Sequence, residues 1–125
     1  MKPSDHLAYL GEHPIIKNKT TQIKIKMTAD ELFRNVEQWA IVRGLDAPEL
    51  SNRQALKVME EVGETMAALA RGRRADLKDG IGDSIVTLII LAMQSGLSAT
   101  ECLESAYNEI KDRKGKMVNG IFIKE

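Results

Sequence analysis

The stretch DGIGDSIVTLIILAM, from Asp79 to Met93, decides the fold. Its apolar part is rich in β-branched residues, so a buried strand competes with a helix. However, the apolar stretch from Ile81 to Met93 is longer than a usual strand, and the segments on both sides are helical in pattern. It also lies between an acidic start signal at Asp76 and Gly96, a residue type that often follows helix ends. We therefore predict a helix, the third of the chain.

This third helix is apolar almost all round at 100° per residue, which is typical of a helix buried on nearly every side. Such a helix in a small domain indicates the centre of a bundle or of an oligomer interface. Its few polar residues share one stripe with Ile90: Asp79, Asp83, Thr87 and Gln94. A carboxylate is costly on a buried helix unless it is paired or binds a metal. The alternative for Asp83 is a residue of the first turns that complements the helix dipole.

The other three helices each begin at a Ser or Thr that is followed three residues later by Glu or Gln, the capping-box pattern. They are predicted to begin at Thr28, Ser51 and Ser98 and to end near Gly44, Gly72 and Gly115. The residues expected to be buried are Leu32, Phe33, Val36, Trp39 and Ala40, then Ala55, Val58, Val62, Met66 and Leu69, and finally Cys102, Leu103, Ala106 and Ile110.

The predicted fold class is all-α: a four-helix bundle-type domain, oligomeric, with short irregular or β-like arms at both ends. We assign residues 1–27 to an N-terminal arm, 28–115 to the helical domain and 116–125 to a C-terminal tail. Thr21–Met27 alternates apolar and polar residues, and Asn119-Gly120 is a turn signal followed by a second alternating piece. These two segments could pair with each other or with another subunit.

Bulk composition narrows the class of protein. A chain of 125 residues is one domain by size. Its 18 basic residues cancel 18 acidic ones, and aromatic residues make up 4%, which argues against a nucleic-acid partner. The single cysteine suits a reducing compartment, the N-terminal segment has no apolar core of signal-peptide length, and the longest apolar run, Ile85 to Met93, is too short to span a bilayer. We expect a cytoplasmic protein without a membrane partner.

Three carboxylates lie close together in the second helix, at Glu60, Glu61 and Glu64. On that helix alone they are typical of a solvated face. If the third helix is covered on most sides, Glu61 and Glu64 could instead face Asp79 and Asp83 across a helix pair. Four clustered carboxylates repel one another without a cation, and such oxygen ligands suit Mg²⁺ or Mn²⁺.

Basic side chains occur in the last helix and in one turn. Tyr107, Lys111 and Lys114 lie along one flank of the last helix, with Asn108 and Arg113 nearby. They could neutralise a substrate's phosphates, or simply complement the helix C-terminus. The arginines of the RGRR turn, residues 71–74, are expected to be a solvated loop, with phosphate contact as the alternative.

The segments VEQWAIVRGL, LKVMEEVGET, DGIGDSIVTLIILA and AYNEIKDRKGKMVNGIFIKE together resemble the MazG-like nucleotide pyrophosphohydrolases of the all-α NTP pyrophosphatase superfamily. The resemblance covers roughly residues 28–125. The family's motif is ExxE followed, after a spacer, by ExxD; Glu61-x-x-Glu64 and Asp83 match it. Gly80 stands where the motif has its second Glu, and either Asp79 or Glu60 could serve instead.

The resemblance implies Mg²⁺-dependent hydrolysis of nucleoside triphosphates to monophosphate and pyrophosphate by a homodimer or homotetramer. It implies Mg²⁺ ligands at Glu61, Glu64, Asp79 and Asp83, with Glu60 as a further catalytic carboxylate. The implied substrate-binding residues are Lys57, Trp39, Asn108, Lys111, Arg113 and Lys114. The alternative is a non-catalytic nucleotide-binding or scaffolding helical module, which Gly80 motivates.

Overall fold

A computed structural model describes residues 26–125, and this part of the chain is mostly helical. The segment quoted above lies in a helix, so that prediction is confirmed. The helices are α1 (Ala29–Val42), α2 (Ser51–Ala70), α3 (Arg74–Gln94) and α4 (Ala99–Ile110), and a 3-10 turn (Pro48–Leu50) leads into α2. Two short strands follow, β1 (Gly115–Val118) and β2 (Ile121–Lys124).

Two of the predicted caps are confirmed. The Thr28 hydroxyl accepts a hydrogen bond from the Glu31 backbone N–H at 3.1 Å, and Ser98 accepts one from Glu101 at 3.4 Å. Each bond satisfies one of the backbone donors that a helix leaves unpaired at its start. The three predicted helix stops that precede the last helix are also confirmed, since each glycine has a positive φ just past a helix end: Gly44, Gly72 and Gly96.

Helix α2 begins at Ser51 as predicted, but the predicted cap at Ser51 and the predicted start of α3 at Asp76 are wrong. Ser51 does not cap α2, because the 3-10 turn runs directly into the helix and Leu50 occupies the cap position without a side-chain bond. The Gln54 side chain donates instead to the Thr87 carbonyl of α3 at 2.9 Å. Helix α3 begins at Arg74, two residues before Asp76, so Asp76 lies in its first turn.

The predicted end of the last helix is also wrong. Helix α4 ends at Ile110, and Gly115 is the first residue of β1. Strands β1 and β2 form an antiparallel hairpin across Asn119 and Gly120, which have φ values of +51° and +80°. This is the backbone that an Asn-Gly hairpin turn requires. The C-terminal segment therefore pairs with residues 115–118; most of its expected partner, Thr21–Met27, lies outside the described residues.

Helices α2 and α3 are joined by three residues and pack against each other along their length as an antiparallel pair. Small and polar side chains fill their interface: Thr65 and Thr87 are buried, and the Thr65 hydroxyl lies 3.3 Å from that of Ser84. Helix α1 packs on α3, while α4 contacts both α1 and α3. Within residues 26–125 the buried hydrophobic side chains are Ala40, Ala68, Ile89 and Ile90.

Most of the predicted apolar faces are therefore exposed within a single chain. On α2, Met66 and Leu69 are 51% and 58% exposed, because the helix turns Thr65 and Ala68 toward α3 instead. None of the residues of α4 is buried, which contradicts the expectation for Cys102 and its neighbours. Helix α3 is likewise not covered all round by its own chain: Ile81, Ile85 and Leu88 are each about half exposed.

Among the described residues, no single helix has the length and apolar character needed to cross a membrane. Helices α3 and α4 reach that length and composition only together, as a pair bent by 104°.

Candidate active site

A cavity of about 340 Å³ lies between α2 and α3, and carboxylates from both helices line it. Glu61 and Glu64 are one turn apart on α2, and Asp79 and Asp83 are one turn apart on α3. The structure thus brings together the four residues that the sequence suggested as metal ligands. The other lining residues are Ala67, Ala68, Arg71, Arg73, Asp76 and Gly80.

The two helices approach each other closely at Gly80. A Cβ at this position would clash with the Thr65 hydroxyl and would lie 3.1 Å from the Thr65 Cβ. A glutamate could not occupy position 80 unless the helices moved apart. The adjacent Asp79 places a carboxylate at the cavity.

Buried hydroxyl groups beside the cavity are hydrogen-bonded within their own helices. The Thr65 hydroxyl donates to the Glu61 carbonyl at 2.7 Å, and the Thr87 hydroxyl donates to the Ser84 carbonyl at the same distance. Because the side chains of Thr65 and Thr87 are both buried, these bonds satisfy groups that would otherwise be costly to desolvate. Between the helices, the Thr65 hydroxyl lies 3.3 Å from the Ser84 hydroxyl.

Glu61 is the most buried of the carboxylates, with a side chain that is 12% exposed. Lys57 lies one turn earlier, with its ammonium nitrogen 3.2 Å from Glu61 and 3.3 Å from Glu60. Its hydrogen bond to Glu61, and next that to Glu60, raise the pKa of Lys57 above its ordinary value. The Glu60 side chain is 58% exposed and does not line the cavity.

The cavity's donors suit a hard divalent cation, since every one of the four carboxylates supplies oxygen ligands. Glu64, Asp79 and Asp83 are exposed, so their side chains can rotate toward a shared ion. Within residues 26–125, however, no group of three or more His, Cys, Asp or Glu side chains is already arranged to hold a metal. The donor set fits Mg²⁺ by its chemistry, and binding requires these side chains to converge.

A second, largely apolar cavity of about 440 Å³ lies on the α1 side of α3. Trp39 forms part of its wall, and Asp83 belongs to both cavities. The Arg43 guanidinium carbon lies 4.2 Å from the centre of the Trp39 ring, a cation–π contact. An aromatic, apolar cavity therefore adjoins the acidic one at a single carboxylate. Its remaining lining residues are Leu32, Asn35, Val36 and Val86.

The cations suggested at the end of the last helix lie elsewhere. Arg113 pairs with Glu109 at 3.7 Å and, together with Lys114, lines a surface depression beside β2. Asn108 and Lys111 line neither of the two cavities described above. A single chain does not bring this group to the acidic cavity.

Two residues at the acidic cavity were expected to belong to a solvated loop. Arg71 and Arg73 both line it, whereas Arg74 lines a different depression beside Leu77. The length of the turn could have predicted this placement. Because only three residues join the two helices that carry the carboxylates, their side chains must lie at the end of the same interface.

Comparison with known proteins yields one relative. The chain is 38% identical over 69 residues to a protein of Haemophilus phage HP1, described as an uncharacterized 18.2 kDa protein in the rep-hol intergenic region. The match covers 55% of this chain and 42% of that relative, whose description states no activity. No protein-family profile and no solved structure matches the chain.

Proposed function

We propose that this protein hydrolyses nucleoside triphosphates to nucleoside monophosphate and pyrophosphate in a Mg²⁺-dependent reaction. One observation carries the proposal: five carboxylates from two helices line one cavity, among them the four predicted metal ligands, and this cavity meets an apolar, tryptophan-lined cavity at Asp83. A nucleotide combines the same two chemistries, a polyphosphate that binds divalent cations and a flat base. The resemblance to the MazG-like pyrophosphohydrolases supports the same reaction.

In this proposal Glu61, Glu64, Asp79 and Asp83 hold Mg²⁺. The bound ion would lower the pKa of a coordinated water and offset charge on the phosphates. Asp79 takes the place of the motif's second Glu, because Gly80 is required for the contact with Thr65. Attack falls on the α-phosphorus, the bond from this phosphorus to the bridging oxygen breaks, and pyrophosphate leaves with that oxygen.

Trp39 is proposed to contact the base. Its ring is 46% exposed and lines the cavity next to Asp83, so a base placed there would lie beside the carboxylates that act on its phosphates. Base stacking on an aromatic ring contributes about 1–3 kcal/mol. Because Arg43 lies over the ring, a stacked base would use the opposite face.

In this proposal Lys57 forms an ion pair with Glu61. Its ammonium nitrogen lies 3.2 Å from the largely buried Glu61 carboxylate and orients it. Glu60, which shares the same lysine, remains a candidate for orienting a water, although it does not line the cavity. Lys57 could contact phosphate only after releasing one of these two carboxylates.

We also propose that the chain is a homo-oligomer, a dimer or tetramer. Residues Ala55, Met59, Val62, Met66 and Leu69 of α2 repeat at intervals of four and three and form an exposed apolar stripe. Such a stripe is the pattern of a helix that packs against another helix. A second copy would cover it, and could bring the cations of α4 to the acidic cavity of its partner.

The substrate is tested with a panel of ribo- and deoxyribonucleoside triphosphates, incubated with the protein and Mg²⁺ and resolved by chromatography. Monophosphate and pyrophosphate in equal amounts support the proposal. Diphosphate with inorganic phosphate would place the attack on a different phosphorus and refute it. The relative rates across the panel also identify the preferred base and sugar.

A second function is favoured by a specific observation, the absence of an arranged metal-binding group within residues 26–125. The protein would then be a non-catalytic nucleotide-binding or scaffolding helical module. Calorimetry separates the two functions: such a binding module takes up nucleotide without forming product, whereas a scaffold neither binds nor hydrolyses it.

A further inference from the structure

The acidic cavity has a basic end. Arg71 and Arg73 lie at the turn that joins α2 and α3, and Glu61 and Glu64 lie about two to three helical turns before it. At a rise of about 1.5 Å per residue, Glu64 and Arg71 are separated by roughly 10 Å along the helix. The cavity is therefore lined by carboxylates at the Asp83 end, and by both carboxylates and guanidinium groups at the turn.

The two guanidinium groups are not neutralised by the carboxylates beside them. Asp76 and Asp79 line the same cavity, yet neither Arg71 nor Arg73 forms an ion pair with any residue in the range 26–125. Both arginines are exposed, so their donors face solvent. A guanidinium presents several donors in a fixed plane, which suits bidentate binding of phosphate oxygens.

We infer that Arg71 and Arg73 bind the diphosphate end of the substrate, the part that leaves as pyrophosphate. This assignment rests on the proposed function, and it sets the direction in which the nucleotide lies. The base lies at Trp39, the α-phosphate at the carboxylates near Asp83, and the β- and γ-phosphates at the turn. The arginines thereby select a triphosphate over a monophosphate, and they also retain the pyrophosphate product.

The test measures binding of inorganic pyrophosphate to the full-length chain by calorimetry with Mg²⁺ present. Replacing both arginines, in an Arg71→Ala/Arg73→Ala variant, should weaken binding about tenfold or more, since each removes charge-assisted hydrogen bonds. Arg74→Ala is the matched control, because Arg74 is adjacent in sequence but lies outside the cavity. It should bind pyrophosphate as the wild type does. Unchanged binding by the double variant, or no binding by the wild type, would overturn the inference.

A second set of affinity measurements, made with nucleotides, distinguishes binding of the substrate's diphosphate from binding of free pyrophosphate. The double variant should lose affinity for a nucleoside triphosphate, measured with Ca²⁺ in place of Mg²⁺, while its affinity for the monophosphate stays the same. An equal loss for both nucleotides would show that the arginines act on the cavity as a whole, and would refute the assignment.

The turnover assay reports separately on the proposed function. Arginine-dependent pyrophosphate binding without hydrolysis of any triphosphate would refute the hydrolase and leave an anion site at the turn. Hydrolysis that is unaffected in the double variant would refute the arginine assignment and leave the hydrolase standing. Thermal unfolding followed by circular dichroism checks that the variants are folded.

Discussion

Gly80 and Thr65 show, at the scale of single residues, how packing shapes the candidate site. The Thr65 side chain occupies the space that any Cβ at position 80 would need. The helices therefore approach closely at Gly80, next to Asp79 of the cavity. A glutamate side chain at position 80 would need this contact to open.

A Gly80→Ala variant should lower the free energy of unfolding by about 1–3 kcal/mol, because the added methyl group overpacks the interface at Thr65. Urea unfolding measures this change. Gly82→Ala on the same helix is the matched control, since a Cβ there meets nothing within 4 Å. It should instead stabilise the protein by about 0.5–1 kcal/mol through helix propensity. Equal effects of the two changes would show that no close contact exists at Gly80.

The raised pKa of Lys57 makes the stability of the folded chain depend on pH. Its pKa is raised in the folded chain by Glu61 first and then Glu60, so the charged lysine stabilises the folded state. For a raised pKa, this contribution is fully present below the unfolded lysine pKa of about 10.4 and is lost as pH rises through the folded pKa. Lys57→Met should therefore be less stable than wild type at neutral pH, and the difference should shrink above about pH 10.4.

Urea midpoints measured across this pH range check the dependence. Lys78→Met is the matched control, because Lys78 is exposed and forms no ion pair with any residue from 26 to 125. A difference between wild type and Lys57→Met that stays constant up to about pH 11 would contradict the lysine's role.

At the scale of elements, the pairing of α2 with α3 is unusual in its polarity. Gln54 of α2 donates to the Thr87 carbonyl of α3 at 2.9 Å, and the buried Thr65 places its hydroxyl 3.3 Å from that of Ser84. Polar and small residues thus lie inside the pair, while the apolar stripe of α2 faces outward. This arrangement leaves an apolar helix face that the described chain does not bury.

The stripe predicts self-association. Met59 and Met66 are 72% and 51% exposed, and a second copy would remove both from water. A Met59→Glu/Met66→Glu variant should dissociate into monomers, because it buries two unpaired charges at the interface. Sedimentation velocity over a range of concentrations measures the oligomeric state.

Arg53→Glu is the control for this experiment, since Arg53 lies on α2 but off the stripe. It should leave the assembly unchanged. A wild-type protein that stays monomeric at every concentration would refute the oligomer, and an equal effect of the control would show that charge alone disrupts it.

Sequence patterns predicted where the helices lie better than they predicted which face of each helix is buried. The capping residues Thr28 and Ser98 act locally, within one turn, so their roles could be read without knowing the fold. The buried face of α2 could not be predicted in this way, because it depends on which residues of the neighbouring helix Thr65 and Ala68 contact. A helical wheel places Met66 in the core, whereas the close approach at Gly80 selects the small residues instead.

The candidate site was predictable to a similar extent. The carboxylate pairs are spaced by one helical turn, so their presence on common faces followed from the sequence, and their meeting at one cavity followed from the packing of adjacent helices. The position of Arg71 depended on the path of a three-residue turn, which composition alone does not give. The cations at the end of α4 lie away from the acidic cavity within the described residues, which the helical pattern did not predict.

On the scale of the whole molecule, two cavities of different chemistry meet at Asp83. The acidic cavity lies between α2 and α3, and the apolar cavity lies between α1 and α3, so the third helix carries the residue that joins them. A substrate that fills both must be amphipathic, with a multiply charged end that binds cations and a flat, less polar end. The triphosphate and base of a nucleotide have this form.

The most direct measurement of the central claim is product formation from the preferred nucleoside triphosphate by wild type, Glu64→Gln and Glu104→Gln. The account predicts monophosphate and pyrophosphate from wild type, and a loss of at least about 100-fold in Glu64→Gln, because removing a metal ligand forfeits several kcal/mol of transition-state stabilisation. Glu104→Gln, on the exposed surface of α4, should match wild type. Folded wild-type protein that forms no pyrophosphate, or a Glu64→Gln variant as active as wild type, would contradict the account.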